Sequence, residues 1–393
     1  MERATLRPGH GTPALDDGSL APDEGLATPG DGSLSGAVAS ITERASFGRP
    51  ASRDAARHSA NRPGARARGP ASLRTADEGR AKSGGADAAG ALDALEALLA
   101  RAVGSPGSEI APPTIGRAMR HAVFPGGARV RPRLALAVAA SFGSSGTGAS
   151  RGEDGSPASE GSPASDHDPA LGFAAALELM HCASLVHDDM PCFDDAATRR
   201  GRPSVHAAFG EPIALLAGDG LIVAAYDVLA RSASSHPGRL PALIGVLSDA
   251  VGAVRGIIAG QAWEAEPDIP LEPYHRAKTA ALFVGATTGG AIAAGREPGP
   301  WRALGEGLGD AYQIADDLRD AVLDETALGK PAGQDDRHGR PSAVAEHGID
   351  GALARLREAT DRAIGSIPEV PGRGRLEGLV RGEARRLVPP ALA

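Results

Sequence analysis

Residues 168–195 read DPALGFAAALELMHCASLVHDDMPCFDD. Asp168 followed by Pro169 is an N-cap with proline at the first helical position, so a helix starts here. The run that follows is Ala, Leu, Met and Val without alternation of period two, which argues against a strand. Along it, Glu178, His181, Leu185 and Asp188 share one face. The helix ends in acid, and Pro191 bends the chain so that Asp194 and Asp195 can return toward Asp188.

The same signal continues on both sides. Leu92, Leu95, Leu98, Leu99 and Val103 form a helical stripe, and residues 115–142 form two more helical pieces broken at Phe124-Pro125-Gly126-Gly127. Further helical stretches are expected at about 211–234, 239–262, 272–295, 301–325 and 349–366. Aromatic residues make up only 3% of the chain, which suits Ala/Leu helices in close approach better than a β-sandwich. The expected fold is a single all-α domain, a helical bundle over residues 89–393.

Not all of the 393 residues fit such a bundle, because 53 are Gly and 31 are Pro. Residues 1–88 have almost no aromatic or β-branched clusters and are expected to be a disordered tail. Residues 144–168 are a low-complexity insertion within the domain. The formal net charge of −8 excludes a nucleic-acid binder that works through a basic face. Cys182 and Cys192 are expected to be reduced, as in the cytoplasm. The first thirty residues lack the apolar core of a secretory signal. The longest apolar-leaning run, Ala280 to Gly295, is short for a membrane span. A soluble cytoplasmic protein is the expectation.

A second acidic group stands at Gln313-Ile-Ala-Asp316-Asp317-Leu-Arg-Asp320. Gln313, Asp316 and Asp320 share a helical face. Carboxylates stacked in this way repel, and a lone pair of them is usually a solvated surface. Two such groups, each set among apolar residues, point instead to hard divalent cations. Oxygen-only donors suit Mg2+, which is commonly shared between carboxylates and a substrate's phosphates. An EF-hand is excluded by the spacing.

Basic residues complete the pattern. Gly126-Gly127-Ala128-Arg129-Val130-Arg131 is a glycine turn with two arginines, and Arg199-Arg200 follow the first acidic group. Only three lysines occur, Lys82, Lys278 and Lys330. Two of them, at Lys278-Thr279 and Gly329-Lys330, stand where they can act as point charges on phosphate.

Together, His187-Asp-Asp-Met-Pro-Cys-Phe-Asp-Asp195, Arg199-Arg-Gly-Arg-Pro-Ser-Val-His206 and Tyr312-Gln-Ile-Ala-Asp-Asp-Leu-Arg-Asp320 resemble the short-chain trans-isoprenyl diphosphate synthases. The likeness runs from about residue 91 to 367. Phe124-Pro-Gly-Gly-Ala-Arg-Val-Arg-Pro132, residues 179–187 and Gly260-Gln-Ala-Trp-Glu264 are most similar to the geranylgeranyl diphosphate synthases of purple-bacterial carotenoid pathways. The resemblance implies a helical bundle around a deep central cavity, a homodimer, and condensation of isopentenyl diphosphate with an allylic diphosphate. It implies three Mg2+ per site, held by Asp188, Asp189 and Asp194 and by Asp316 with Asp317 and Asp320. Arg199, Lys278, Thr279 and Lys330 would face the allylic diphosphate. Arg131, His181 and Arg200 would bind isopentenyl diphosphate, Arg129 is a further substrate-binding candidate that with Arg131 would compensate for Ala128, and Gln313 would support the site. The family usually has Lys where this chain has Ala128.

Product length should depend on the helix carrying Asp188, whose pitch of roughly 5.4 Å is close to one isoprene unit. The resemblance puts the gate at Ala183, followed by Ser184, with Met180 and Leu177 deeper. Both gate residues are small, so a C20 product is expected. A farnesyl (C15) synthase and a catalytically silent partner subunit are the alternatives; the second would be expected to lose metal ligands, and this chain keeps both acidic groups.

Overall fold

Helix α4 (Pro169–Asp188) is the element around which the others assemble. Asp168 caps it, its Oδ1 accepting the Ala170 N–H at 2.8 Å, and nearly every residue from Pro169 to Val186 is buried. A helix that is apolar on all sides must be surrounded. It packs against α1 (Ala76–Ala102), α2 (Pro113–Val123), α3 (Val130–Ala140), α6 (Glu211–Ser232), α7 (Leu240–Val251) and α10 (Ala281–Ala293). Between α4 and α6 lie a short antiparallel hairpin, β1 (Thr198–Arg199) with β2 (Arg202–Pro203), and α5 (Val205–Phe209).

The computed structural model describes residues 76–104, 112–143, 167–322, 342–388 and 392, with side chains from residue 89 onward except at 271. They fall within one compact unit, Ala71–Ala393. The all-α expectation holds, since the hairpin is the one strand pair among the described residues. Most of the tail, 1–75, and of the insertion, 144–166, lies outside them. Helix α1 starts at Ala76, inside the stretch assigned to the tail by composition. Ala76 to Lys82 are mostly helix-favouring residues, and the glycines at 84 and 85 dilute that signal in the sequence.

The apolar run 280–295 is α10, an inner helix. Its glycines allow the approach: a Cβ at Gly289 would lie 2.1 Å from the Phe173 ring of α4, and one at Gly290 would lie 2.5 Å from Ala135 O of α3. The expected helix 239–262 is two helices, α7 and α8 (Ile257–Trp263), because Gly252 and Gly256 both take extended conformations at the break. The stretch 272–295 is likewise divided, into α9 (Leu271–His275), a π-helical turn Arg276–Ala280, and α10. Next come α11 (Arg302–Val322) and α12 (Ala343–Gly365), then α13 (Arg373–Leu387), which periodicity missed. Three glycines and many arginines hide its buried seam of Leu376, Val380, Glu383 and Leu387.

Candidate active site

The end of α4 folds back on itself. Asp194 N–H donates to Asp188 O at 3.0 Å and Ala196 N–H to Asp189 O at 3.1 Å, which returns Asp194 to the side of Asp188 as the proline suggested. A third carboxylate joins them from the C-cap of α8. Ligand oxygens of Asp188, Asp194 and Glu264 all lie within 4.8 Å of one another, a set that could hold a metal ion. In the sequence Glu264 belongs to the Gly260–Glu264 likeness and carries no role of its own. A single acid one turn after Gly260-Gln261 carries no spacing signal, and its partners come from elsewhere in the chain.

Cations close the cage. Lys278, in the π-helical turn, pairs with Glu264 and stands 4.0 Å from Asp188 Oδ1. Tyr274 Oη donates to Glu264 at 2.5 Å, and Gln261 Nε2 donates at 3.3 Å. A Cβ at Gly260 would sit 2.5 Å from Lys278 Cα, so glycine is what lets α8 and the turn touch. Arg199, from β1, donates through Nε to Asp189 Oδ1 at 2.8 Å, pairs again with Asp189 through Nη2, and reaches Asp188 Oδ2 at 3.6 Å. Burial raises the Asp188 carboxyl pKa; Lys278 opposes this and Asp194 adds to it. Asp189 is raised by burial as well, against the Arg199 hydrogen bond. Both shifts mark crowded, desolvated carboxylates that a divalent cation would relieve.

The cationic site beside it is built from α3, α4 and the hairpin. Arg131 Nη1 lies 3.3 Å from His181 Nε2, its guanidinium is 4.8 Å from the Phe283 ring centroid, and its Nε is buried without a hydrogen-bond partner. Arg200, with φ 55°, lies over Gly127, where a Cβ would be 3.1 Å from its Cζ. Burial and then Arg131 and Arg200 push the His181 pKa well below its usual 6.5, so it is neutral at physiological pH. Two arginines and a neutral imidazole around a glycine turn make an anion site.

Two expected site residues have other work. Arg129 is only 3% exposed, and its guanidinium is engaged by Glu96, Glu178 and Val123 O, so it does not face a substrate. Asp317, also 3% exposed, accepts Ala343 N–H at 2.6 Å and Gln313 Nε2 at 2.9 Å, which anchors the start of α12. Thr279 Oγ1 donates to Gln313 Oε1 at 2.7 Å, so this pair ties the π-helical turn to α11. Asp316 is exposed and 3.3 Å from Arg319; burial lowers the Arg131 guanidinium pKa, and Asp316 is near enough to offset a small part of that lowering. Asp320 lies one turn further along α11. Met180 and Ala183 are buried in α4, and the half-buried Ser184 donates its hydroxyl to His181 O. Lys330 lies outside the described residues. Both cysteines are free, and burial raises the Cys182 thiol to about 12.

A helical bundle that sets a carboxylate cage against a cationic anion site has the form of a metal-assisted diphosphate enzyme. Residues 112–371 match the polyprenyl synthetase family. The chain is 49% identical over 299 residues to a geranylgeranyl diphosphate synthase of Cereibacter sphaeroides, covering 76% of this chain and 97% of the relative. It is 45% identical to a protein of the same description from Rhodobacter capsulatus, covering 75% and 95%. A crystal structure of Helicobacter pylori geranyltransferase, complexed with magnesium and isoprenyl diphosphate, superposes with TM-score 0.60 at 25% identity, covering 75% of this chain and 96% of that one. The chain therefore belongs to the polyprenyl synthetase family and is a prenyltransferase.

Proposed function

We propose that this prenyltransferase condenses isopentenyl diphosphate with allylic diphosphates in a Mg2+-dependent reaction and stops at the C20 product, geranylgeranyl diphosphate. The observation that carries the reading is the cage of Asp188, Asp194 and Glu264 closed by Lys278 and Arg199. These donors fit a hard cation: they are all oxygen, crowded together and partly buried. Asp188 and Asp194 would hold Mg2+ with Glu264 beside them, and Asp316 with Asp320 would hold it on α11; three ions per site remains the expected count. When bound, Mg2+ neutralises the leaving diphosphate so that the allylic C–O bond can ionise.

The chain's own residues do the rest. Lys278 and Arg199 are aimed where negative charge grows on the departing diphosphate. Arg131, His181 and Arg200 hold isopentenyl diphosphate, whose double bond attacks the allylic carbon. The proton then lost goes to the released diphosphate, so no side-chain base is needed. The bundle supplies alignment and dryness.

The growing chain is assigned to the α4 wall below Asp188, past Ala183 toward Met180. Two close relatives described as geranylgeranyl diphosphate synthases support C20, as do the small side chains at Ala183 and Ser184. A farnesyl synthase would need a larger gate, and a silent subunit would need a broken cage. Carotenoid biosynthesis is the assigned use, in the cytoplasm. A homodimer is the assigned assembly, with its interface on α6. That helix is apolar enough to cross a membrane (mean hydropathy 1.8), yet it carries Asp219 and Asp227 and leaves Leu215, Leu216 and Val223 exposed, as a protein partner requires.

Incubation of the purified chain with Mg2+, isopentenyl diphosphate and farnesyl diphosphate should yield a C20 prenyl alcohol after dephosphorylation. No incorporation of isopentenyl units would overturn the reading, and a product that stays at C15 from geranyl diphosphate would make it a farnesyl synthase.

A further inference from the structure

Arg129, the N-cap of α3, has φ 50°, a left-handed conformation that a non-glycine residue rarely adopts. What holds it is a buried fork. Nε and Nη2 bind Glu96 of α1 at 2.8 and 3.1 Å, Nη1 binds Glu178 of α4 at 2.7 Å, and Nη2 also donates to Val123 O at 2.9 Å. Burial opposes the charge, yet the two carboxylates more than offset this and raise the guanidinium pKa above its ordinary value. No substrate contact explains so much pairing.

The position of the fork does explain it. The guanidinium lies directly against the Gly126 backbone, where a Cβ would be 2.2 Å from its Cζ, and 5.6 Å from the Phe124 ring centroid. From the other side Arg202 Nη1 donates to Phe124 O at 2.6 Å, tying the turn to the hairpin that carries Arg200. Glu178 stands three residues before His181 on α4, and Arg129 two residues before Arg131. One buried pair therefore joins the two elements whose side chains meet at 3.3 Å in the anion site.

We infer that Arg129 is a positioning residue: clamped by Glu96 and Glu178, it sets the Gly126–Ala128 turn and holds Arg131 against His181, so that the isopentenyl diphosphate site is assembled before substrate arrives. This rests on the proposed use of that site. A planar fork is required because lysine can make only a point contact where Arg129 reaches α1, α4 and the turn together. Misplacement by about 1 Å is enough to cost of the order of 10²-fold in a preorganised site.

The test is steady-state kinetics of full-length R129K and E178Q, with isopentenyl and farnesyl diphosphate varied separately. The KM for isopentenyl diphosphate should rise about tenfold or more in both, while the KM for farnesyl diphosphate changes by less than about twofold. A merely structural residue would move both constants together, and that outcome, or no movement in folded variants, overturns the inference. E96Q keeps the test open should the buried variants fail to fold, since the Glu96 side chain is 37% exposed. It should give a rise of about threefold for isopentenyl diphosphate alone, and an unchanged value overturns the inference. A wild-type chain that does not consume isopentenyl diphosphate would instead remove the reading beneath it.

Discussion

The two aspartate groups look alike in sequence and differ in the folded chain. At the end of α4, Asp188, Asp189 and Asp194 are drawn together by backbone hydrogen bonds and surrounded by Lys278, Arg199 and Glu264. On α11, Asp316 is exposed beside Arg319, while Asp317 turns away to anchor α12. The lesson is that an Asp-Asp pair specifies no common role. Helical geometry points neighbouring side chains about 100° apart, so one member faces the site and the other faces the scaffold. In the α4 pair Asp188 likewise enters the cage, while Asp189 is buried against Arg199 of the hairpin.

The sharpest way to break that contrast is to neutralise each group in turn. Asp188→Asn should lower kcat by about 10³, and Asp316→Asn by about 10², since the preassembled cage carries more of the charge stabilisation. Equal losses, read from product formation at saturating substrates, would show that preassembly adds nothing. Glu264→Gln probes the part of the cage that sequence missed. The Mg2+ concentration for half-maximal activity should rise by about tenfold or more, and an unchanged Mg2+ titration would remove Glu264 from the cage.

Asp317→Ala should behave as a scaffold change. Loss of its charge-assisted bonds to Ala343 N–H and Gln313 should cost about 1–3 kcal/mol, seen as a lower thermal midpoint with an unaltered Mg2+ titration. A Mg2+ effect as large as that expected of Glu264→Gln would return Asp317 to the metal site. Ala183→Tyr tests the wall below the α4 group alone. Its product should shift from C20 to C15, and undiminished C20 yield would sink the assignment of the chain to that wall.

The smallest effect concerns pH. The His181 pKa is held well below 6.5 by burial and by Arg131, so the folded chain binds fewer protons there than the unfolded one. Its contribution to stability is complete above pH 6.5 and is lost as pH falls from 6.5 toward the folded value, by at most about 1.4 kcal/mol per unit. The fall in thermal midpoint below pH 6.5 should be shallower in His181→Gln, and identical slopes would dissociate His181 from the effect.

Much of this was legible in one dimension. Asp168-Pro169 announces α4, the 3.6-residue spacing announces most other helices, and Pro191 announces the return of Asp194. These signals are local, because caps, turns and helical faces depend on residues within a few positions. Helix α13 was not legible, since its buried seam is diluted by glycine and arginine. Glu264 was not legible either. Its meaning comes from Asp188, Asp194, Tyr274 and Lys278, brought together by the contact between Gly260 and the π-helical turn.

The sequence by itself determined the helical class, the two acidic groups and the family. Only the tertiary structure decided the work of each charged side chain. Arg129 and Arg131 stand two residues apart in one glycine-turn motif, yet the first is locked between Glu96 and Glu178 and the second lies against His181. A charge can be assigned only when its counter-charge is known, and in this protein the counter-charges arrive from helices distant in the chain.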